Sequence, residues 1–269
     1  MAVDRGHLRR VDGGQAGTRG ARSGAVRGAT ARGASGPARA GAYRLAALIP
    51  AYDVEATIAD VVRGAAEHCD AVLVVDDGSH DRTAEVARAA GAEVVRHDTN
   101  RGKGAALRSG LVRLLAEGYT HAFSLDGDGQ HLADQMPLLI AESRAHPAAI
   151  VLGARKLSPD QEVARINRFG NEFANWWVSL AAGREFRDTQ SGFRIYPIRA
   201  TLELGVRAER YAFESEVLIL AGRRGVDVVT REVAVYYPPP DERVSHYAPW
   251  ADTCRIIFTV VPFLIGLRS

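Results

Sequence analysis

The sequence predicts an α/β fold with a mostly parallel central sheet and helices on both of its faces. Between residues 43 and 155, short apolar segments alternate with longer segments whose apolar residues recur at helical spacing. Strands that alternate with helices build a parallel sheet, because each crossover helix returns the chain to the edge where it started. With 269 residues, 25% of them charged, the chain is long enough for one large globular domain.

The predicted elements follow in chain order. Five strands cover residues 45–52, 71–77, 92–97, 120–126 and 148–154, and the four helices between them cover residues 57–69, 81–91, 105–118 and 133–146. The first helix places Ile58, Val61 and Val62 on one face, and Gly91 closes the second helix. Beyond Arg155 the regular alternation of strands and helices ends. The predicted elements there are a helix over 165–183, a loop over 184–196, a helix over 213–225, a strand over 226–237 and a loop over 238–249.

The first 42 residues are excluded from this fold because their composition is different. They contain eight Arg and two Asp, no Lys and no Glu, and are otherwise mostly Gly and Ala, so they cannot bury enough apolar surface to fold alone. We expect a disordered tail or the product of an upstream start codon. The whole chain carries +2, so without this tail the remainder carries −4, and no nucleic-acid partner is expected.

The other compositional features favour a cytoplasmic protein. Cys69 and Cys254 have no paired spacing, so neither a disulfide framework nor a zinc ribbon is indicated. The longest apolar run, residues 256–267, is interrupted by Pro262 and is too short to span a bilayer. We expect it to form part of a C-terminal apolar helix over residues 249–269, either in the core or at a membrane interface, which would make the protein peripheral to the membrane.

Two predicted strands end in acidic residues. "VVDDGS" follows the second strand and "SLDGDGQH" ends the fourth. Asp-Gly is a common turn dipeptide, so the second stretch alone is compatible with a turn or a cation site. Ligands of open α/β sheets bind at the carboxyl ends of the strands, and hard divalent ions prefer oxygen ligands such as carboxylates. The position of these aspartates therefore favours the cation site.

Several other enzyme classes are disfavoured by their missing signatures. "NRGKGAAL" has Leu where a dinucleotide-binding loop needs its third Gly, and no Ser or Thr follows its Lys as a P-loop requires. The sequence has no G-x-S-x-G elbow and no H-E-x-x-H motif. The sequence thus disfavours four enzyme classes: a dehydrogenase, a P-loop NTPase, a serine hydrolase and a zinc protease.

An ordered set of motifs runs through the chain: "IPAY", "VVDDGSHDRT", "NRGKGAAL", "LDGDGQH", "LGAR", "RFGN", "DTQSGFR", "FESE" and "ERVSH". In this order they resemble the family 2 glycosyltransferases of the GT-A fold, and within them the branch of dolichyl- and polyprenyl-phosphate mannosyl- and glucosyltransferases. The resemblance covers residues 43–268 and implies a GT-A catalytic domain over 43–248. It implies an inverting, metal-dependent enzyme that moves a hexose from a GDP-mannose or UDP-glucose type donor to a polyprenyl-phosphate-like lipid.

The resemblance also implies roles for individual residues. The nucleotide-sugar donor would be bound by Pro50, Tyr52, Asp76, Asp77, Lys103, Asp126, Gly127, Asp128 and Arg155. Mg²⁺ or Mn²⁺ would be held by Asp126, Asp128 and Gln130. The phosphates or the acceptor would be bound by Arg168, Arg194, Glu214, Arg243 and His246. Asp128 and Asp188 would be catalytic, Asp188 as a general base for a hydroxyl acceptor or as an orienting group for a lipid phosphate.

The chain departs from the family pattern at two of these motifs. Members often have "YNE" where this chain has "YDV", so Val54 replaces a carboxylate and the base of the donor is left open. His246 stands where members often have Lys. Of the two acids in "FESE", we expect Glu214 to face the site, because residues two apart on a helix do not share a face.

Alternatives for the acceptor and the reaction stay open at this point. Trp250, Ile256, Ile257, Phe258, Phe263 and Leu264 would form a membrane-facing surface or cover the sheet. The same machinery would also serve a soluble acceptor or another lipid hydroxyl. A sugar-phosphate nucleotidyltransferase is a further alternative, although the first strand lacks the Gly-rich signature that such an enzyme usually has.

Overall fold

A computed structural model of the protein describes residues 42–156, 165–208, 210, 212–235 and 260–264, and it describes side chains in the second range from residue 172 onward. The predicted tail before residue 42, the Arg168 side chain, Arg243 and His246 therefore lie outside the described residues, as does most of the predicted C-terminal helix.

The described residues form one seven-stranded sheet in the order β3-β2-β1-β4-β6-β5-β7. The strands are β1 Leu45–Ala51, β2 Ala71–Asp76, β3 Glu93–Arg96, β4 His121–Ser124, β5 Ile150–Arg155, β6 Arg194–Pro197 and β7 Val228–Val233. β6 runs antiparallel to β4 and β5, and the other pairings are parallel. The mostly parallel sheet is thus confirmed, and β6 is a strand that the sequence did not predict, since it lies in the predicted loop over 184–196.

Helices cover both faces of the sheet, as predicted. They are α1 Ile58–Ala66, α2 Thr83–Ala89, α3 Lys103–Ala116, α4 Met136–Ala145, α5 Arg165–Ala182, α6 Ile198–Glu203 and α7 Ala212–Arg224. One apolar core lies between the sheet and α3, α5 and α7, and a second lies between the opposite face and α1, α2 and α4. Burial on both faces explains why β1 reads as a nearly continuous apolar run.

The α3 helix packs closely on the centre of the sheet. A Cβ atom on Gly110 would lie 2.2 Å from Leu48 Cδ1 of β1, so a larger residue here would force the buried Leu48 side chain to move. On the same helix Leu107, Leu111 and Leu114 are buried in the core. This close packing fixes the N-terminal end of α3 at the edge of the sheet where β1 and β2 end.

Residues 260–264 pack beside α5 and α7. Val260 and Phe263 are buried in the first core, whereas Leu264 is 37% exposed. The Arg223 guanidinium of α7 donates to the carbonyl oxygens of both Ala181 and Phe263. Phe263 thus covers the protein core. No helix among the described residues combines the length and the apolar character that crossing a membrane requires.

His121, at the start of β4, should make stability depend on pH. Burial lowers the pKa of its imidazole below the ordinary value of 6.5, and Nε2 lies 2.8 Å from the carbonyl oxygen of Pro147. The imidazole therefore binds a proton more weakly in the folded chain than in the unfolded chain. We expect the free energy of unfolding to fall as the pH drops below about 6.5, which is the ordinary pKa of His.

The variant His121→Gln should flatten this pH dependence, because it can still donate to Pro147 and cannot take up a proton. Urea unfolding at pH 7.5 and at pH 5.5 measures the difference. His146→Gln, at an exposed position, is the control and should keep the slope of the wild-type protein. An unchanged slope in His121→Gln would show that this imidazole does not titrate differently on folding.

Candidate active site

The candidate site lies where β1, β2 and β4 end at the same edge of the sheet. Pro50 is buried near the end of β1, Asp76 ends β2, and Asp126 lies two residues beyond the end of β4. Thr57, just before α1, donates its hydroxyl to the carbonyl oxygen of Gly127 at 2.6 Å. The loop after β4 is therefore held against the start of α1, close to the end of β1.

Val54 fills the space beside this loop. It is buried, and a Cβ atom on Gly127 would lie 3.1 Å from its Cγ2 atom. Glu55, the neighbouring acid, accepts a hydrogen bond from the backbone N–H of Arg82 and pairs with the Arg82 side chain. Its carboxylate is thus engaged at the start of α2.

The expected nucleoside pocket is bordered by the loops after β1 and β2. The Tyr52 hydroxyl lies 3.3 Å from His80 Nδ1, and Asp53, at a φ of 49°, accepts from the backbone N–H of His80 at 2.6 Å. Partial burial would raise the pKa of Asp53, but the hydrogen bonds from His80 hold it below its ordinary value. Asp53 and His80, which the sequence did not single out, thus join the two loops around Tyr52.

Asp76 and Asp77 are both buried and both engaged within the protein. Asp76 accepts from the backbone N–H of Ser79 at 2.9 Å, and its other oxygen lies 3.2 Å from Arg96 Nε. Asp77 accepts from the backbone N–H groups of Arg101 and Gly102. Asp77 therefore orders the backbone that leads into α3, in addition to the donor-binding role that the resemblance implies.

His97 completes the arrangement around Asp77. Its Nδ1 lies 2.7 Å from Asp77 Oδ1, and its Nε2 lies 3.0 Å from the Ser109 hydroxyl on α3. Sequence reasoning missed His97, because an isolated His at the end of a strand carries no signal of its partners. The contacts fix the loop between β3 and α3, and with it the backbone next to Lys103.

Lys103, the first residue of α3, connects two acids at the centre of the site. Its ammonium group lies 2.5 Å from Asp126 Oδ1 and 2.6 Å from Glu214 Oε1 of α7. The Glu214 side chain is almost completely buried and the Lys103 side chain is 12% exposed. The structure thus brings together three of the predicted site residues from distant parts of the sequence.

The charges in this cluster shift one another strongly. Burial would raise the pKa of Asp126, but Lys103 and His131 hold that pKa far below its ordinary value. Burial would lower the pKa of Lys103, but Asp126 and Glu214 keep it raised. Burial raises the pKa of Glu214, and Lys103 opposes this shift. Asp126 and Lys103 are therefore a charged pair across the physiological range.

Asp128 lies in a different electrostatic environment from Asp126. Burial raises its pKa, and the negative charge of Asp126 raises it further. Its Oδ1 accepts from the backbone N–H of Gln130 at 3.0 Å. A cation placed between Asp126 and Asp128 would relieve this repulsion.

These donors fit a divalent ion that is shared with a diphosphate. Among the described residues, no three His, Cys, Asp or Glu side chains form a complete metal-binding group. Mg²⁺ is usually held by one or two carboxylates together with substrate phosphates, rather than by a cage made of protein alone. Asp126 and Asp128, with the amide of Gln130, would supply the protein ligands, and Mn²⁺ takes the same kind of oxygen donors.

His131 borders the metal-binding loop on its other side. Its ring stacks on Phe193 with the centroids 4.8 Å apart, and Nε2 lies 3.6 Å from Asp126 Oδ2. The sequence places His131 directly after Gln130 but gave it no role. Phe193 and His131 together help to orient Asp126.

Asp188 is bound tightly by Arg155. It accepts from the backbone N–H and the Nε of Arg155, both at 2.8 Å, and its other oxygen accepts from the guanidinium at 2.5 Å. Asp188 has a φ of 52°, and the next residue, Thr189, is bound to the Asn175 side chain of α5. A carboxylate held at both oxygens by a guanidinium is better suited to orienting groups than to abstracting a proton.

Arg194 is completely buried, and its guanidinium is occupied by the backbone. It donates to the carbonyl oxygens of Thr189, Ser191 and Glu214 at 2.7, 2.7 and 2.9 Å. In this structure it therefore positions the loop before β6 and the first turn of α7. Glu216 accepts from the backbone N–H of Ala208, so of the two acids in "FESE" it is Glu214 that reaches the site.

Gly192 lies against the charged cluster and should be required for activity. A Cβ atom there would be 2.6 Å from Asp126 Oδ2 and 2.7 Å from Lys103 Nζ. Both atoms are at the ends of side chains and can move, so Gly192→Ala should fold normally but displace the Asp126–Lys103 pair.

We expect Gly192→Ala to lower kcat/KM by roughly tenfold to a hundredfold, which corresponds to about 1.4 to 2.7 kcal/mol in the barrier, with little change in Tm. Gly183→Ala is the comparison, because a Cβ atom there meets no other atom within 4 Å; its φ of 69° should cost stability and leave turnover intact. Full activity in Gly192→Ala would contradict the close approach of residue 192 to the Asp126 and Lys103 side chains.

Comparison with known proteins identifies relatives over most of the chain. The family model described as glycosyl transferase family 2 matches residues 46–201. Glycosyltransferase AglJ of Haloferax volcanii is 33% identical over 211 residues, which are 76% of this chain and 67% of the relative. A UDP-N-acetylglucosamine–dolichyl-phosphate N-acetylglucosaminyltransferase of Methanococcus voltae is 29% identical over 203 residues, 67% of this chain and 81% of the relative.

A solved structure supports the fold. Glucosyl-3-phosphoglycerate synthase of Mycobacterium tuberculosis, in complex with Mn²⁺, UDP-glucose and phosphoglyceric acid, matches with a TM-score of 0.64 and 22% identity, covering 82% of this chain and 79% of that one. Together with the family match, this likeness confirms the predicted GT-A fold.

Proposed function

Because the chain belongs to glycosyl transferase family 2 and is a glycosyltransferase, we propose that it transfers a hexose, with inversion, from a nucleotide-diphosphate sugar to a polyprenyl-phosphate-like lipid. The observation that carries this proposal is the cluster of Asp126, Asp128 and Lys103 at the carboxyl ends of the strands. It offers carboxylates for a divalent ion and an ammonium group for phosphate oxygens at one place.

The donor would be bound mainly through its diphosphate. Asp126 and Asp128 would hold the Mg²⁺ or Mn²⁺ ion, which would act as a Lewis acid for the leaving nucleotide. Pro50, Tyr52 and Asp76 would border the nucleoside, and Asp53 and His80 would hold the two loops of that pocket in place. The Mycobacterium tuberculosis enzyme, crystallised with Mn²⁺ and UDP-glucose, supports a divalent ion in this fold.

The pairing of Asp188 with Arg155 favours a phosphate acceptor. A hydroxyl acceptor needs a base to remove its proton, whereas a lipid phosphate is already an anion and can attack directly. Asp188 has both oxygens bound by Arg155 and would orient that Arg towards an acceptor anion. The dolichyl-phosphate enzyme of Methanococcus voltae, whose sequence is similar over two thirds of this chain, supports the same acceptor class.

The remaining parts of the proposal concern residues outside the described ranges. Arg168, Arg243 and His246 are proposed to contact the diphosphate or the acceptor phosphate, since guanidinium groups suit phosphate oxygens. We propose that the catalytic domain extends over residues 43–248, and that the apolar segment 249–269 lies partly at a membrane interface on the cytoplasmic face.

A transfer assay with separated phases tests the proposal. The protein is incubated with Mn²⁺ or Mg²⁺ and labelled GDP-mannose, UDP-glucose or UDP-N-acetylglucosamine, with and without polyprenyl phosphate, and the organic phase is counted. We expect label in the lipid that depends on the metal and is lost with EDTA. Metal-dependent nucleotide release without lipid label would retain the transferase and reject this acceptor, and label on a water-soluble product would favour the soluble-acceptor alternative.

A further inference from the structure

We propose that Lys103 is a built-in counter-ion that occupies Asp126 in the donor-free protein and must withdraw from it when the divalent ion binds. In this account Glu214 retains the ammonium group, which then becomes available to the incoming diphosphate. The inference rests on the proposed function, because it assumes that Asp126 is a metal ligand.

The position of Lys103 on its helix needs an explanation. It is the first residue of the 14-residue helix α3, whose first turn contains no acid. The N-terminal end of a helix carries partial positive charge, so a cation is disfavoured there. The side chain is also largely removed from solvent. The two acids in contact with it, Asp126 and Glu214, offset both of these costs.

The contact with Asp126 conflicts with metal binding at the same carboxylate. Lys103 Nζ lies 2.5 Å from Asp126 Oδ1, so the ammonium group already occupies one of the acceptor positions of this carboxylate. A divalent ion on Asp126 would place two cations side by side, and like charges a few ångströms apart repel strongly in a site shielded from water. Lys103 and the ion should therefore compete for Asp126.

Glu214 gives Lys103 a second partner on the opposite side. Its Oε1 lies 2.6 Å from Lys103 Nζ, and its side chain is almost completely buried. Arg194 binds the carbonyl oxygen of Glu214 and thereby fixes the first turn of α7. When fully ionised, Asp126, Asp128 and Glu214 carry three negative charges, and Lys103 offsets one of them. The remaining two negative charges match the charge of one divalent ion.

This arrangement links metal binding to donor binding. In the absence of a diphosphate, the ion must displace a well-held ammonium group, so its affinity should be low. A bound diphosphate offers Lys103 new anionic partners and offers the ion new oxygen ligands. We therefore expect the metal and the nucleotide to bind cooperatively, and Lys103 to be the residue through which part of that cooperativity arises.

Removal of the ammonium group tests the competition directly. Mn²⁺ binding to the nucleotide-free protein is titrated by electron paramagnetic resonance for the wild type, Lys103→Met and Lys156→Met. Lys103→Met should bind Mn²⁺ about tenfold more tightly or better, because a competing positive charge is gone. Lys156→Met loses the same charge at an exposed position and should bind within about twofold of the wild type, as expected where solvent screens the charge.

The variant Glu214→Gln provides a test with the opposite sign and does not depend on the folding of Lys103→Met. Without the negative charge of Glu214, the attraction between Lys103 and Asp126 should have less competition, so Mn²⁺ should bind more weakly than in the wild type. The effect should be much smaller when Lys103→Met is present, since the lysine transmits it. Circular dichroism checks that each variant is folded.

Three results would overturn the inference. Mn²⁺ binding to Lys103→Met that is no tighter than in the wild type would show that the ammonium group does not compete with the ion, and additive effects of Lys103→Met and Glu214→Gln would exclude coupling through the lysine. If the wild-type protein binds no Mn²⁺ even with UDP or GDP, the metal site of the proposed function fails, and the inference fails with it. Metal binding that is retained but insensitive to Lys103 rejects the inference alone.

Discussion

Asp128→Asn should abolish glycosyl transfer and leave the protein folded. Asn keeps the size of the side chain but removes the negative oxygen that the ion needs, so we expect kcat/KM to fall at least about a thousandfold, or about 4 kcal/mol in the barrier. Because burial and Asp126 already raise the pKa of Asp128, its charge costs stability in the metal-free protein. The Tm of the variant without metal should therefore equal or exceed that of the wild type.

In this variant the activity should fall while the stability is kept or rises, which separates a metal ligand from a structural residue. Turnover is measured at saturating Mn²⁺, and Tm is measured by calorimetry in EDTA. Asp227→Asn, at a side chain that is 84% exposed, is the matched control and should leave both quantities unchanged. Turnover within tenfold of the wild type would remove Asp128 from the metal site.

Arg194→Met should be the most destabilising single change in the loop region. It removes a guanidinium that serves three buried carbonyl oxygens, those of Thr189, Ser191 and Glu214. Met fills a similar volume but donates nothing, and each buried acceptor left without a partner costs about 1–3 kcal/mol. We expect the free energy of unfolding to fall by about 3 kcal/mol or more.

Urea unfolding measures this loss, with Arg63→Met as the control. The Arg63 side chain is 60% exposed and pairs only across one helical turn with Asp60 among the contacts described, so its replacement should cost less than about 0.5 kcal/mol. An unchanged unfolding midpoint in Arg194→Met, together with weaker donor or acceptor binding, would instead support the phosphate-binding role implied by the resemblance.

Local patterns in the sequence predict most of the fold. The apolar runs of β1, β2 and β5 and the helical spacing in α1 are strong signals because both faces of the sheet are covered. β6 is different: it has only four residues, ends at Pro197 and follows a turn at Thr189 and Gln190. Its place between β4 and β5 depends on long-range pairing, which no local pattern encodes.

The sequence predicts which acidic residues lie at the site, but it does not predict which residues contact them. Acids at strand ends are visible in the sequence, because Asp interrupts an apolar strand and the α/β architecture places those ends together. Whether an acid faces a ligand or the protein depends on what tertiary packing brings beside it. Asp77 meets His97 because β2 and β3 pair side by side, and Lys103 meets Glu214 because α3 and α7 reach the same edge of the sheet.

Arg194 shows the same limit for a basic residue. The motif "DTQSGFR" suggests a basic group near phosphates, but the direction of the side chain is set by the antiparallel strand β6, in which Arg194 is the first residue. His131 was within reach of sequence reasoning, since it directly follows the metal-binding pattern, whereas its stacking on Phe193 is visible only in the structure.

The most direct test of the account is nucleoside diphosphate binding measured by equilibrium dialysis of labelled UDP and GDP with Mn²⁺ or with EDTA. The central claim is that the acids at the end of β4 bind the donor through a divalent ion. We therefore expect one of the two nucleotides to bind the wild-type protein at least about tenfold more tightly with Mn²⁺ than with EDTA. In Asp128→Asn, the affinity for this nucleotide should be the same with Mn²⁺ and with EDTA, and as low as that of the wild type with EDTA. Equal binding with Mn²⁺ and EDTA in the wild-type protein would contradict the claim.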